Sequence, residues 1–310
     1  MKKDKTNSFR IAAFDFGSNA MKCLIAEYTS KVLTYLQEYR YQNRLGSSID
    51  TKGSISQAAI DDTIMGAKKL LQKCIQHHVN RYLAVGTEAL RKAVNTAELV
   101  SRLHTETGLD LQIISPDREA NLAWQGVMGG VEAKYNSILL VDSGGASTEL
   151  ICGNTNRIVD ISSVPLGAVN LAKSCIKSDP ISVPDFNRLH GCIAESFESL
   201  SLMPNIVIGV GGGFTACAKV AMGKDDYPAL MQELFPLTRD ELIRQVNLLR
   251  NTNLLERKQI PGMEAERADI LIVSALIALR IIDLCQTDSM YISVRGLRHG
   301  LINSMLPVIS

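Results

Sequence analysis

The sequence carries almost no net charge. Its 310 residues include 33 Lys and Arg against 32 Asp and Glu, which gives a formal net charge of +1 at pH 7. A chain this close to neutral has no basic field over its whole surface, so a general attraction to DNA, RNA or an anionic membrane is excluded. Any site for a polyanion must therefore be made by local groups of Arg and Lys.

Long apolar runs are also missing. The run Ile270–Leu279 ends at Arg280, and it is too short to cross a bilayer, which takes about 20 residues. It predicts a buried helix instead. The N-terminal stretch reaches Asp15 before any adequate apolar segment, so we expect no signal peptide and no membrane partner.

Cysteine patterns typical of zinc sites and redox pairs are absent. The seven cysteines form no C-x-x-C pair, and no His stands at zinc spacing from them. Their number is odd and most have apolar neighbours, so we interpret them as reduced core residues of a cytoplasmic protein. They are Cys23, Cys74, Cys152, Cys175, Cys192, Cys217 and Cys285.

One short pattern occurs twice. Residues 15–19 read DFGSN and residues 142–149 read DSGGASTE, and each copy lies between two apolar runs. An apolar run, a glycine turn and a second apolar run are typical of a β-hairpin. Glycine lets backbone N–H groups approach a phosphate, and the Asp carboxylate is a hard oxygen ligand suited to Mg²⁺. The repeat predicts two related half-molecules that face one phosphate site.

Strand-like and helix-like patterns alternate along both halves of the sequence, which predicts an α/β fold. A length of 310 residues suits two domains of about 100–200 residues each. We expect domain I at 1–124 and domain II at 125–296, with a C-terminal helix at 297–310 returning to domain I. We also expect a helix from about Glu88, and a third glycine turn at 209–213 after a strand.

Two hairpins and a third glycine turn resemble the actin, Hsp70 and sugar-kinase superfold. Within it the sequence is similar to the exopolyphosphatase and guanosine pentaphosphate phosphohydrolase (Ppx/GppA) family from about Arg10 to Leu306. The resemblance implies an α/β fold of two actin-like (ribonuclease H-like) domains flanking a cleft, in a short form without the C-terminal HD-like domain of longer members. Besides the hairpins, the matching motifs are RLG at 44–46, GTEALR at 86–91, IIS at 113–115, EA at 119–120, PLGA at 165–168, GVGGG at 209–213, RAD at 267–269 and GLR at 296–298.

The resemblance also assigns chemistry to individual residues. Glu119 matches the family glutamate proposed to orient or deprotonate the attacking water. Asp142 and Glu149 would hold Mg²⁺, and Asp15 would approach the same metal from the other domain. Mn²⁺ is an alternative metal, and a monovalent cation is a possible further ion. Phosphoanhydride hydrolysis needs charge neutralisation and a positioned water, which such residues can supply. The implied phosphate-binding residues are Asp15, Gly17, Ser18, Asn19, Arg44, Arg91, Gly144, Gly145, Ser147, Thr148, Gly211 and Gly212.

These assignments predict a Mg²⁺-dependent phosphohydrolase that releases the terminal phosphate from inorganic polyphosphate, from guanosine pentaphosphate (pppGpp), or from both. Two alternatives stay open: an ATP-dependent small-molecule kinase of the same superfold, and a weakened sensor that binds polyphosphate or guanosine tetra- or pentaphosphate. The sensor is motivated by Ala146 and Gly213, which depart from the family pattern. A homodimer is also left open, and no nucleic-acid polymer is expected as a partner.

Overall fold

The structure of the protein, a computed structural model, describes residues 8–18, 20–30, 32–132, 134–145, 147–197, 203–224 and 234–306. The chain divides into two compact units. The first consists of Met1–Val127 with Gly296–Ser310, and the second consists of Met128–Arg295. The chain therefore leaves the first unit once and returns to it near its C-terminus.

The strands form two sheets, one in each unit. Those of the first unit are β1 (Phe9–Phe16), β2 (Met21–Thr29), β3 (Val32–Tyr41), β4 (Arg81–Gly86) and β5 (Leu111–Ile113). Those of the second unit are β6 (Ile138–Ser143), β7 (Thr148–Asn154), β8 (Arg157–Val164), β9 (Ile206–Val210), β10 (Phe235–Thr238) and β11 (Ser289–Ile292). The two predicted hairpins are confirmed, since β1 pairs antiparallel with β2 and β6 with β7.

The helices connect and cover these strands. They are α1 (Gln57–Gln76), α2 (Glu88–Lys92), α3 (Thr96–Thr107), α4 (Pro116–Met128), α5 (Ala168–Cys175), α6 (Val183–Ser196), α7 (Gly212–Met222), α8 (Arg239–Asn251), α9 (Leu254–Arg257), α10 (Leu271–Cys285) and α11 (Leu297–Asn303). Short 3₁₀ helices occur at Leu45–Ser48 and Ala265–Arg267. Helix α11 belongs to the first unit although it lies at the end of the chain.

The two sheets repeat one topology. The first has the strand order β3-β2-β1-β4-β5, and the second has β8-β7-β6-β9-β11 with β10 added beside β11. In both, the first three strands run antiparallel, and the hairpin's first strand pairs in parallel with the strand on its other side. The repeated sequence pattern thus begins two α/β units of the same design, and the predicted fold class is confirmed.

Strand register in the first unit brings three chain segments to one edge of the sheet. Phe16 at the end of β1 lies beside Gly86 at the end of β4, and Gly86 lies beside Ile113 at the end of β5. The first hairpin turn, α2 and α4 all start just beyond this row. Ligand sites of α/β sheets lie at such carboxyl edges.

Each unit has its own apolar core. In the first, Phe14 and Ile25 of the sheet are buried together with Ile60 of α1, and each such fully buried side chain contributes about 1.5–3 kcal/mol. In the second, α10 is buried along most of its length, so the helix predicted at Ile270–Leu279 is confirmed. Among the described residues, no helix is both long and apolar enough to span a membrane.

The seven cysteines are free thiols. Five are buried, and Cys152 and Cys192 are half-buried. Burial raises the pKa of the Cys217 thiol to about 12 and that of Cys285 to about 11. The interpretation of the cysteines as reduced residues with packing roles therefore fits the structure.

The helix expected from about Glu88 is interrupted, so that two helices, α2 and α3, occupy this stretch. The side chain of Asn95, which lies between them, bonds to a distant segment of the chain. Its amide nitrogen donates to the carbonyl of Ile55 at 3.0 Å, and its oxygen accepts the Ile55 N–H at 2.8 Å. The Thr96 hydroxyl donates to the carbonyls of Leu90 at 2.6 Å and Ala93 at 3.0 Å, and side-chain bonds to nearby backbone groups compete with helix formation. Helix α2 is therefore short, and it carries Arg91 in its last turn.

Helices α4 and α11 pack against each other through glycines. A Cβ on Gly300 would clash with the carbonyl oxygen of Leu122, and a Cβ on Gly126 would clash with the carbonyl oxygen of Gly296. The two backbones are therefore too close to accept a side chain at either position. This contact attaches α11 to the helix that carries Glu119.

Gly300→Ala should destabilise the protein by about 1–3 kcal/mol, because overpacking forces backbone shifts. The control is Gly191→Ala in α6, where an added Cβ would meet nothing within 4 Å. This control should be about 0.5–1 kcal/mol more stable than wild type, since Ala favours helix over Gly. Urea unfolding measures both, and a Gly300→Ala variant as stable as wild type would contradict the close packing.

Candidate active site

The first hairpin turn is held by a neighbouring loop. The N–H of Gly46 donates to the carbonyl of Ser18 at 2.7 Å, and a Cβ on Gly46 would lie 3.0 Å from the Ser18 Cβ. This loop includes Arg44, which is exposed and adopts a left-handed conformation with φ of 46°. Gly17 is confined within the turn, since a Cβ there would lie 3.0 Å from the carbonyl oxygen of Ala20. The structure thus brings the Arg44 loop to the predicted phosphate turn.

Arg91 and Glu119 form an ion pair near the same edge of the sheet. The Arg91 Nη1 donates to the Glu119 Oε2 at 2.7 Å and to the carbonyl of Ile114 at 2.9 Å. The Arg91 side chain is 23% exposed and that of Glu119 is 33% exposed, so a ligand can reach both. Glu119 lies in the first turn of α4, where a carboxylate interacts favourably with the helix N-terminus.

Asp15 has cationic neighbours. It lies opposite Lys22 in the β1–β2 pair, and the Arg298 Nη1 of α11 lies 3.7 Å from its Oδ2. Arg298 also forms an ion pair with Glu38 at 2.6 Å. Burial raises the pKa of the Asp15 carboxyl, and Arg298 and Lys22 oppose that rise. Burial and the nearby Arg298 lower the pKa of Lys22.

The second hairpin places two carboxylates side by side. Asp142 on β6 lies directly opposite Glu149 on β7, and residues opposite each other in an antiparallel pair share one face of the sheet. The Glu149 Oε1 accepts hydrogen bonds from the hydroxyls of Ser147 at 2.6 Å and Ser163 at 3.1 Å. These bonds restrict the orientation of the Glu149 carboxylate.

This pair of carboxylates fits a Mg²⁺ ion that keeps water and phosphate oxygens as its other ligands. Mg²⁺ is usually bound through one or two carboxylates plus substrate phosphates, and rarely by a complete protein cage. Over the ranges that the structure describes, no group of three or more His, Cys, Asp or Glu side chains could hold a metal. Asp142 and Glu149 could therefore provide only part of a coordination shell.

The Thr148 side chain is engaged inside the second unit. Its side chain is fully buried, and its hydroxyl donates to the carbonyl of Leu166 at 2.7 Å. The hydroxyl is therefore not available to a phosphate, so the predicted phosphate contact of Thr148 would have to be made by its backbone N–H. Ser147 uses its hydroxyl on Glu149, and the Gly144 N–H donates to the Ser147 carbonyl at 2.9 Å within the turn.

The other glycines of the second unit lie around the same turn. The Gly145 carbonyl accepts the N–H of Val169 at 3.0 Å, which joins the turn to α5. Gly211 has φ of +104°, and a Cβ there would lie 2.6 Å from the carbonyl oxygen of Ser143. A Cβ on Gly212 would clash with the guanidinium of Arg267. Glycine is thus required at 211 by the backbone, and the third glycine turn packs against the second hairpin.

Two of the positions discussed from sequence, Asn19 and Ala146, lie outside the described residues. Other residues near the site were missed. Ser163, which bonds to Glu149, comes from the neighbouring strand and shows no motif in the sequence. The signal that could have suggested Arg298 as a site neighbour is the GLR motif, but sequence alone does not say that it lies near Asp15.

Two sheets of one topology, each with a glycine-containing hairpin turn at the carboxyl edge of its parallel strands, define the actin-like class of α/β proteins. The chain belongs to the Ppx/GppA phosphatase family, whose sequence model matches residues 24–308. The family resemblance seen in the motifs is thereby confirmed.

Relatives with known names agree with the family. Exopolyphosphatase 2 of Mycobacterium tuberculosis is 24% identical over 314 residues, which cover 96% of this chain and 98% of that protein. The bifunctional 3-dehydroquinate synthase/phosphatase of Fusobacterium nucleatum is 25% identical over 303 residues, or 93% of this chain. The chain spans only 45% of the length of that longer protein.

Solved structures agree with the fold. A Ppx/GppA family member from Aquifex aeolicus superposes with a TM-score of 0.85 at 25% identity, covering 96% of this chain and 97% of that one. An exopolyphosphatase from Cytophaga hutchinsonii superposes with a TM-score of 0.82 at 27% identity, with the same coverage of 96% and 97%.

Thr148→Val should destabilise the protein by about 1–3 kcal/mol, because it removes the donor to a buried carbonyl. Thr148→Ser is the matched control, since it keeps the hydroxyl and should lose less stability. Urea unfolding measures both variants. A Val variant as stable as the Ser variant would show that the bond to Leu166 contributes little.

Proposed function

We propose that the protein is a Mg²⁺-dependent phosphohydrolase that releases the terminal phosphate of inorganic polyphosphate, of pppGpp, or of both. The observation that supports this most is the pairing of Glu119 with Arg91 at 2.7 Å, near the carboxyl edge of the first sheet. A carboxylate that can orient water, next to a guanidinium that can bind phosphate, suits phosphoanhydride hydrolysis. Two relatives are named exopolyphosphatases, which supports polyphosphate as a substrate.

In this proposal Glu119 orients the attacking water and accepts its proton on a carboxylate oxygen. General base catalysis of this kind contributes about 10²–10⁴-fold to a rate. Arg91 binds an oxygen of the transferring phosphoryl group, for which its planar guanidinium is suited. The first hairpin turn and Arg44 bind phosphates further along the substrate.

Asp142 and Glu149 would hold the Mg²⁺ ion, which when bound would neutralise charge on the phosphate oxygens. Ser147 and Ser163 keep the Glu149 carboxylate in one orientation for this task. Asp15 already balances two cationic neighbours in its own unit. We therefore assign the metal to Asp142 and Glu149 and give Asp15 the role of a counter-ion.

One of the two residues that suggested a sensor, Gly213, has a structural explanation. Gly213 is buried in α7, and a Cβ there would clash with the Ser274 side chain of α10. Glycine at this position is thus explained by close helix packing, and it gives no sign of a relaxed site.

Glu119→Gln should lower phosphate release by at least about 100-fold, because Gln cannot accept the proton from water. Release is measured side by side with long-chain polyphosphate and with pppGpp, in Mg²⁺ and without any added acceptor. The ratio of the two rates identifies the preferred substrate.

Asp117→Asn is the matched control, since Asp117 is an exposed acid in the same first turn of α4. This control should keep nearly the wild-type rate. If Glu119→Gln also keeps it, the proposed role of Glu119 is wrong. Release that depends on an added sugar or carboxylic acid would instead favour a kinase.

Asp142→Asn and Glu149→Gln should each weaken Mg²⁺ binding by at least about tenfold, since each removes a charged oxygen ligand. Isothermal titration of the protein with Mg²⁺ and a non-hydrolysed phosphate analogue measures the affinity. The control is Asp160→Asn on β8, an exposed acid of the same sheet. Equal loss in all three variants would indicate a general charge effect in place of a site.

A further inference from the structure

We infer that Arg91 is a positioning residue for Glu119 as well as a phosphate ligand, and that it performs the two tasks with different N–H groups. The inference rests on the proposed function, because it takes Glu119 as the group that activates water. In this arrangement the substrate phosphate and the Glu119 carboxylate both bind to the rigid, planar guanidinium of Arg91.

The hydrogen bonds of Arg91 are concentrated on one nitrogen. Nη1 donates both to Glu119 and to the carbonyl of Ile114. Among the residues that the structure describes, Nε and Nη2 donate to no protein acceptor. A guanidinium presents its donors in a fixed planar fork that matches phosphate oxygens. The donors not used by the protein are therefore available to an anion that approaches the 23% exposed side chain.

The anchor of this arrangement is fixed by the sheet. Ile114 is 8% exposed, and its N–H donates to the Gly86 carbonyl at 3.1 Å. On the other side, the Thr87 N–H at the start of α2 bonds to the Phe16 carbonyl at 3.4 Å. The segment of Ile114 and the start of α2, which carries Arg91, are thus both hydrogen-bonded to strands of the sheet. These bonds fix the position of the Arg91 guanidinium.

A consequence follows for the reaction. Because the same planar group holds the carboxylate and the phosphate, binding of phosphate at Arg91 fixes the distance between phosphorus and the base. Lysine would keep the positive charge, but its ammonium is a point charge that lacks the planar fork. Arg91→Lys should therefore keep much of the phosphate affinity and lose the alignment of Glu119.

A double-mutant cycle with Arg91→Lys and Glu119→Gln tests this coupling. We expect Arg91→Lys alone to lower kcat at least tenfold and to change KM less than threefold. In the Glu119→Gln background, the same change should lower kcat less than threefold, since no base remains to be aligned. A residue that only binds phosphate would give equal losses in both backgrounds. That additive result would overturn the inference.

Two further measurements keep the test decisive. Arg118→Lys, an exposed neighbour in α4, is the matched control and should leave kcat and KM unchanged. Arg91→Ala with guanidinium at a non-denaturing concentration should regain part of its kcat, and Arg91→Ala/Glu119→Gln should regain much less, since only the phosphate contact is restored there. Rescue of both to the same degree would also contradict the inference.

The kcat of Glu119→Gln and the double-mutant cycle together distinguish a failure of this inference from a failure of the proposed function. If Glu119→Gln alone keeps the wild-type kcat, the assignment of the base is wrong. If Glu119→Gln lowers kcat but the effects of the two substitutions are additive, Glu119 keeps its assignment as the base and Arg91 only binds phosphate. Urea unfolding of each single variant shows whether a loss of kcat reflects a loss of fold.

Discussion

The parallel pairing of β1 with β4, and of β4 with β5, is the constraint on which the candidate site of the first unit depends. Because the strands end in one row at Phe16, Gly86 and Ile113, the segments that follow them meet at one edge. A shift of the β4 register by one residue would turn every side chain of that strand to the opposite face. Glu119 and Arg91 are far apart in sequence and reach each other only because this register is fixed.

The two units share a topology, but the residue that pairs with the hairpin aspartate has opposite charge in the two. Asp15 lies opposite Lys22, and Asp142 lies opposite Glu149. An Asp opposite a Lys is a pair of opposite charges, whereas an Asp opposite a Glu puts two like charges on one face of the sheet. This difference supports the proposal that Asp142 and Glu149, and not Asp15, hold the metal.

Local features of the site were readable from sequence, and long-range ones were not. Glycine turns between apolar runs are visible within eight or ten residues, so both hairpins could be predicted. The role of Thr148 depends on a carbonyl contributed by Leu166, which no local pattern reveals. The Ser163–Glu149 bond depends on the pairing of β8 with β7, and the bond between Asn95 and Ile55 joins residues 40 positions apart.

Helix α11 shows how a distant segment can complete a local site. Through Arg298 it brings a cation to Asp15, and burial would otherwise favour the protonated form of that carboxyl. Through Gly300 it packs on α4, the helix that carries Glu119. The same short helix thus contacts both the helix of the proposed base and the first aspartate, so its packing helps to determine their separation. Residues near the C-terminus therefore belong to the physical description of the site, even though they contribute no group to the proposed chemistry.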